Sequence, residues 1–485
     1  MIDYGREKGI LDIGCWIPNK PNLRLTEMSG RRLALFLFLP LLIFGWTTPI
    51  NISNTDSLSN YPAMTMDKRG WLHCVWEDKT PGNYEIFYTF YNGTTWAVPQ
   101  NISQDSNTSW TPDVAVDTLN RVHIVWGNYE TGRIMWTMFE GDTWTTPISI
   151  SLPGYACQGP ELAVNPLNNE VHCVWHSLTG AEDSEIWHSF FNGDTWSTPE
   201  NVSNDNVGSA WADIAIDSLG RIDVVWMDYG TFDIFYSRFD SVSWSSPVNI
   251  SNLSGQSCDP RIGIDRDNNP RVVWEERDSA GYEVYYTYFD GTGWMNPIWV
   301  DSIDAHEPDI AVGVDNKAYI VYLYDYEIYY VVYKDTVQET LPIDISNTGD
   351  AILPSICIDS LYAHVIWSDG SMDSSTPEKR AEIFYVTGTL SGINERIGVG
   401  KNKKISYSSF VVSTLYLSFS PQESSNAFIR IYDIAGRKVK EVSLGRISRG
   451  SHQYRISLNT ASGVYFFEIR AGSQKWWGRF ILINP

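Results

Sequence analysis

No apolar run in this chain reaches the ~20 residues that a membrane-spanning helix needs; the longest, LALFLFLPLLIFGW at 33–46, follows Arg31 and Arg32 and stops at about 14. A stable membrane span is thereby excluded, and the run reads as a signal peptide over 28–45, cut after Gly45. Met28 opens MSGRRLALFLF, so 1–27 reads as an upstream extension, with a long n-region as the alternative. Charge is scarce at 19%, and no long helical periodicity appears. The six cysteines are irregularly spaced and Cys15 falls with the leader, so no disulfide framework is visible. Cys74 and Cys173 sit inside HCVW strands as small hydrophobes, Cys157 and Cys258 lie in loops, and all are expected as free thiols. Cations are rare in the middle: 49–390 hold 15 Lys and Arg against 49 Asp and Glu, whereas 391–485 hold 14 against 5. An acidic body repels phosphate backbones and anionic lipid, which excludes nucleic acid and favours neutral polar or cationic ligands.

Aromatics are in excess, with 21 Trp, 27 Tyr and 19 Phe, a strand-favouring balance. Aligned on its tryptophans, the chain repeats every 45 to 51 residues, the range of propeller blades. Each repeat has an inner strand (PDVAVD at 112–117, PELAVN at 160–165, ADIAID at 212–217, PRIGID at 260–265) and a second strand ending in a marker aromatic. The markers are Trp76, Trp126, Trp175, Trp226, Trp274, Tyr322 and Trp367, which sets seven units. A third strand (EIFY at 85, EIWH at 185, EIFY at 382) turns through Asn92-Gly93 and its equivalents into an outer strand W-x-x-P-x-N-I-S. The seventh unit lacks that outer strand, and Trp46, Pro49, Asn51, Ile52 and Ser53 supply its signature at the other end of the chain. The expected fold is therefore all-β: a seven-bladed β-propeller of four-stranded blades over 46–390, its N-terminal strand closing the last blade, since closure removes exposed edges. The Asn-x-Ser sequons at Asn51, Asn101, Asn201 and Asn249 recur at one blade position, where a small polar pair serves the strand exit, so the repeat explains them without glycan.

The third-to-fourth hairpins read T-x-Y-x-G-x-x-W at 89–96, T-x-F-x-G-x-x-W at 137–144 and 287–294, and S-x-F-x-G-x-x-W at 189–196, with Ser241 replacing glycine at 237–244. This resembles the Asp-box of sialidase-type propellers, S/T-x-D-x-G-x-x-W, in spacing and position. An aromatic (Tyr91, Phe139, Phe191, Phe239, Phe289) replaces the Asp each time. Sialidase chemistry, which the resemblance would imply, needs three arginines over the channel with an acid and a Tyr-Glu pair. Here Arg69, Arg121, Arg221, Arg266 and Arg271 fall at the opposite, short-turn face, leaving mainly Arg133, Arg261 and Arg277 on the loop side. Asp265, Asp267 and Asn269 begin like a calcium loop but lack its glycine and closing glutamate, and read as a polar turn. No metal and no cofactor are expected.

After a polar linker at 391–404 the repeat ends and the charge changes sign. IRIYDIAGRKVKEV (429–442), ASGVYFFEIRAG (461–472) and RFILI (479–483) read as strands of a small Ig-like β-sandwich at 405–485. In the order Y-D-I-x-G-R-x-V then S-G-V-Y-F they resemble the C-terminal sorting domain of type IX secretion, although FSP at 419–421 stands where Y-P-N-P is usual. The resemblance implies export, by machinery that reads the tail, to the medium or the outer surface of a Gram-negative bacterium.

Variable loops such as EDKTPGNY and EERDSAGYE share one face, the expected binding surface. At the channel mouth the inner strands begin with Asp113, Glu161, Asp213, Arg261 and Asp309, and Tyr61, Trp110, Trp211 and His306 precede them. Aromatic faces beside carboxylates suit a sugar; the alternative is that the acids bond backbone amides of the next blade while the aromatics cover the seams. The leading function is a non-catalytic, monomeric binding propeller for a carbohydrate or surface protein. A polysaccharide-active hydrolase or lyase is the alternative.

Overall fold

The computed structural model describes residues 45–482, apart from 56, 179–183, 206, 279–280, 302–303, 371–380, 391–404, 408–409, 412–413, 434–435, 451, 459 and 461–462. The expected upstream extension, the expected leader up to residue 44 and the expected linker fall outside the described residues. Two compact units emerge: Met1–Tyr330 with Asp344–Leu390, and Val331–Ile343 with Ser391–Pro485. The second begins where the charge changes sign, but it also takes in Val331–Ile343, a stretch of the sixth repeat that has lost the W-x-x-P signature.

The described residues form strands and turns, with no helix among them. Seven antiparallel sheets of four or five strands follow one another. The first is a meander of Ser59–Met66, Leu72–Asp78, Glu85–Tyr91 and Gln100–Asn101. The inner strands, Ser59–Met66, Ser109–Val116, Ala156–Val164, Ser209–Ile216, Gln256–Ile264, Ala305–Val312 and Ala351–Ile358, touch in chain order, and the last touches the first. The seventh sheet takes its outer strand from the start of the chain: Ile50 pairs Tyr385, Asn51 pairs Phe384, and Trp46 bridges Gly388. All seven marker aromatics are buried to 1% exposure or less.

Three local devices recur because the same residues recur. In the first turn an aspartate caps backbone amides: Asp117 Oδ1 accepts Leu119 N at 2.8 Å and Arg121 N at 2.9 Å, and Asp67, Asp217 and Asp265 do likewise. Asp265 is thus committed to a turn. In the outer strand the Asn-x-Ser pair is a clamp. Asn201 Oδ1 accepts Asn204 N at 2.8 Å, while Ser203 Oγ accepts Ile186 N at 3.0 Å and donates to Glu185. Ser53, Ser103, Ser251 and Ser346 repeat the clamp on Ile383, Ile86, Ile234 and Ile328. In the hairpin, Thr89 Oγ1 donates to Ala97 O at 2.7 Å, and the aromatic that replaces the Asp packs on the hairpin tryptophan, Tyr91 on Trp96 at 5.4 Å.

The outer-strand tryptophans also lock one sheet to the next. Trp96, Trp144, Trp196, Trp244 and Trp294 each stand edge-on against an aromatic of the preceding sheet (Tyr385, Tyr88, Trp136, His188, Tyr236), at 4.9 to 5.6 Å and 70 to 78°. Trp46 makes the same contact with Tyr330, at 4.9 Å and 73°. Cys74, Cys157, Cys173 and Cys357 are free thiols.

In the second unit, Ile405–Tyr407, Thr414–Phe419 and His452–Ser457 form one sheet; Phe410–Val411, Gln474–Leu482, Gly463–Ala471, Ser425–Asp433 and Lys438–Ile447 form another. A single core containing Leu417, Phe419, Ile429, Ile431, Phe467 and Trp476 joins them.

Candidate functional site

Each of the seven inner strands is bulged at the same place. The register slips between Asn60 and Ala63, Trp110 and Asp113, Gln158 and Glu161, Ala210 and Asp213, Cys258 and Arg261, His306 and Asp309, and Ile352 and Ser355. Within each bulge one residue has positive φ: Tyr61, Thr111, Gly159, Trp211, Asp259, Glu307 and Leu353, between 45° and 56°. All but Trp211 precede a proline. Positive φ in a bulky residue is strained, and bulges re-aim side chains beside functional sites.

The five charged residues expected at the mouth follow these bulges. Asp113 Oδ2 accepts Leu162 N at 2.7 Å, Asp213 Oδ2 accepts Ile262 N at 2.8 Å, and Asp309 Oδ2 accepts Ile356 N at 2.8 Å, each on the next inner strand. Glu161 instead accepts Arg261 Nη1 at 3.0 Å, linking the third sheet to the fifth. Burial pushes Asp113 up to about 7 and Asp309 up to about 6, against the pull of Arg261 and the bonded amides. Burial also raises Asp213, and Glu161 strongly. Arg261 goes the other way from what burial alone would do, because Glu161, Asp213 and Asp309 hold its charge.

The aromatics stand around this ring. Tyr61 is 46% exposed. Trp110 lies so close over Gly127 that a Cβ there would meet Nε1 at 2.5 Å, and Trp211 packs against His176 at 5.0 Å. His306 Nδ1 is 3.4 Å from Glu275 Oε2, and its ring is 4.3 Å from Tyr282.

Sequence reasoning missed a second set of acids. Asp259 and Glu307 occupy bulge positions, and Glu77 and Glu275 directly follow the marker tryptophans Trp76 and Trp274. Three of them cap the bulges of the next sheet: Thr111 N donates to Glu77 Oε2 at 3.3 Å, Glu307 N to Glu275 Oε2 at 3.1 Å, and Leu353 N to Glu307 Oε2 at 2.6 Å. Burial pushes Glu77 up to about 8 and Glu307 to about 7; burial and the charge of Glu275 take Asp259 to about 7. Carboxyls that keep a proton near neutrality both donate and accept hydrogen bonds. Cys258, Asp259 and Glu275 bring ligand-type atoms within 4.8 Å of one another, and the Cys258 sulfur lies 3.7 Å from Glu275 Oε1.

The arginines do not form a carboxylate clamp. At the turn end Arg69, Arg121, Arg221 and Arg271 bond Asp67, Asp117, Asp217 and Asp265. On the loop side Arg133 donates to Ser151 O, Arg261 to Glu161, and Arg277 lies over Tyr282.

No curated protein matches this chain. Solved structures of similar fold include a protein of unknown function from Dyadobacter fermentans DSM 18053, 11% identical with a TM-score of 0.45 over 71% of this chain and 99% of that one. An ulvan lyase of a new polysaccharide-lyase family is 12% identical with a TM-score of 0.47 over 71% and 94%. A Hadza microbial sialidase is 10% identical with a TM-score of 0.41 over 67% and 74%. At such identities none transfers an activity. The tail is different, because a family model described as a secretion system C-terminal sorting domain matches residues 411–484. The chain therefore ends in a type IX sorting domain, and the protein is secreted or held on the outer surface of a Gram-negative bacterium.

Proposed function

We propose that residues 46–390 form a seven-bladed β-propeller that binds a carbohydrate at the loop-side mouth of its channel without transforming it, and that an Ig-like sorting sandwich at 405–485 exports it. Seven sheets whose inner strands touch in a closed cycle support the architecture. The observation that carries the binding reading is the run of strained bulges, one on each inner strand, whose positive-φ residues include Tyr61, Trp211, Asp259 and Glu307, with Trp110 and His306 directly preceding two of them. Aromatic faces take the C–H face of a pyranose, and half-protonated carboxyls exchange hydrogen bonds with its hydroxyls. Asp113, Glu161, Asp213, Arg261 and Asp309 hold the mouth open beneath them and discourage polyanions. A monomer suffices for this site.

A lyase or hydrolase remains as a second reading, favoured by the crowding against Glu275 of Glu307 and His306, two groups able to move protons near neutral pH. Parallel binding and turnover screens of the exported chain on neutral polysaccharides separate the two. The expected result is retention without product, weakened by Tyr61→Ala or Trp211→Ala. Product formation abolished by Glu307→Gln overturns the binding-only reading.

A further inference from the structure

Trp96, Trp144, Trp196, Trp244 and Trp294 each lock one sheet to the sheet before it, and four of these five contacts fall on a tyrosine or a tryptophan. The fifth falls on a histidine: Trp244 of the fourth sheet stands edge-on to His188 of the third, at 5.4 Å and 76°. Histidine changes its charge near neutral pH. The equivalent lock between the first and second sheets joins Trp144 to Tyr88, with Trp144 Nε1 donating to Gln100 Oε1 at 3.4 Å. Between the third and fourth, Trp244 Nε1 donates to Glu200 Oε1 at 3.1 Å, and His188 Nδ1 stands 2.9 Å from the same oxygen. A neutral seam is here rebuilt from two titratable groups.

His188 is held in turn by a second histidine. Its Nε2 lies 2.9 Å from His172 Nδ1, the rings stack at 5.2 Å and 11°, and both residues are 3% exposed. Ionised Glu200 only accepts, so His188 Nδ1 carries its hydrogen. In the neutral pair His188 Nε2 then accepts from His172 Nδ1, which leaves His172 Nε2 bare. That nitrogen is buried without a hydrogen-bond partner among the described residues. Glu170 Oε2 stands 3.6 Å from it, outside bonding range, and already accepts from Asn168 Nδ2. In the first two sheets the turn aspartates Asp67 and Asp117 face the equivalent His73 and His123 at 3.4 Å; the third sheet has Asn165 in the turn, which brings no charge. Glu170 and Glu200 are thus the charged groups beside the pair, while Phe190, stacked on His172, and Trp244 of the fourth sheet are neutral.

An added proton must enter at His172 Nε2. Burial and the charge of His188 hold His172 down to about 3 from 6.5, so the stabilisation from the neutral pair is complete above about 6.5 and lost as pH falls towards 3. Glu200 is held below its ordinary value by its bond from His188 and keeps its charge over most of that range. A charged His172 gains by swinging out towards Glu170 or water, which withdraws the Nδ1 donor from His188 and frees the ring against which Trp244 rests. We propose that the seam between the third and fourth sheets is an acid-released latch: in mildly acidic medium His172 takes up a proton, His188 loses its anchor, and Trp244 comes away while the tyrosine-backed seams hold. The latch lies in the seam itself and does not rest on the loop-side reading.

Fluorine NMR of the exported chain labelled with fluorotryptophan tests it, with the Trp244 and Trp144 resonances assigned by Trp244→Phe and Trp144→Phe. The isotope shift of each resonance between light and heavy water measures how wet its ring is, so release is read apart from a nearby change of charge. On acidification the Trp244 ring should become wetted at least about one pH unit above the Trp144 ring, which reports a tyrosine-backed seam and any general acid unfolding. Two variants copy the first sheet: His188→Tyr brings in the residue type of Tyr88, and His188→Tyr with Glu200→Gln adds that of Gln100. In both, the two midpoints should coincide within about 0.3 pH unit. Coincident midpoints in the parent, or a gap that survives in either variant, overturn the proposal, and the parent comparison decides by itself should a variant fail to fold.

Discussion

Trp46→Ala should weaken the whole ring of sheets as much as loss of a core residue, although Trp46 stands almost at the start of the described chain. Trp46 is 4% exposed, edge-on to Tyr330 at 4.9 Å, and seated on Gly388, where a Cβ would meet its ring at 2.5 Å. A tryptophan that buries about 150–250 Å² at ~25 cal/mol per Å² contributes about 4–6 kcal/mol. Residual burial in the unfolded chain lowers this to about 3–5 kcal/mol, the usual cost of Trp→Ala in a core. For ~345 residues, an unfolding entropy of ~2.1 cal/mol/K per residue turns that loss into a Tm drop of about 4–7 °C. The discriminating assay is a double-mutant cycle with Gly388→Ala, read by denaturant unfolding where refolding is reversible and by thermal half-life where it is not. Gly388→Ala should cost about 1–3 kcal/mol in the parent through overpacking, and close to nothing once Trp46 is alanine. If Trp46→Ala melts with the parent, or the two costs simply add, the first strand does not complete the last sheet and the closure argument fails.

Other groups make different predictions. Glu77 is pushed up to about 8 from 4.5 by burial, so its contribution is fully present below about pH 4.5 and lost as pH rises through 8; Glu77→Gln should leave stability at pH 5 unchanged and raise it by about 1–3 kcal/mol at pH 9, and equal denaturation midpoints at both pH values would refute the buried charge. His176, 2% exposed, is held down to about 4 by burial, so its stabilisation is complete above about 6.5 and lost as pH falls towards 4. His176→Phe should therefore shift acid unfolding, followed by tryptophan fluorescence, about 0.5–1 pH unit lower. Asp213 accepts two amides, Ile262 N on Oδ2 and Ile214 N on Oδ1, and an asparagine offers only one acceptor. Asp113→Asn with Asp213→Asn should accordingly lower Tm while leaving glycan retention within about two-fold, and a collapse of retention at unchanged Tm would make the ring acids ligand contacts.

The all-β character was legible because the chemistry of each repeat is local: an aspartate that caps its own turn, a serine that clamps the next strand, a tryptophan at each hairpin. The candidate site was only half legible. Strict alternation treats an inner strand as continuous, so Asp113 and Asp309, just after a proline, and Asp213, just after Ala212, stand out. The bulge inserts a residue with positive φ before that proline, a position backbone sterics disfavour and a pattern of hydrophobicity cannot reveal. Asp259 and Glu307 were overlooked for that reason. Glu77 and Glu275 were hidden differently, since a polar residue after a buried tryptophan looks like solvent-facing punctuation until the next sheet's amides are in place.

The contact of Ser53 with Ile383 N, 330 residues further along the chain, also has a time order. Synthesis and export deliver the first strand early and its partner last, so the opening segment waits through six sheets before it can pair. Until Glu382–Thr389 arrives, two edges stand open, one at each end of the growing array. The final pairing then spans almost the greatest loop this unit contains, a separation at which closure entropy slows contact formation. The sorting tail is delivered after that partner strand, so by the time export machinery can read it, the ring already has every strand it needs to shut.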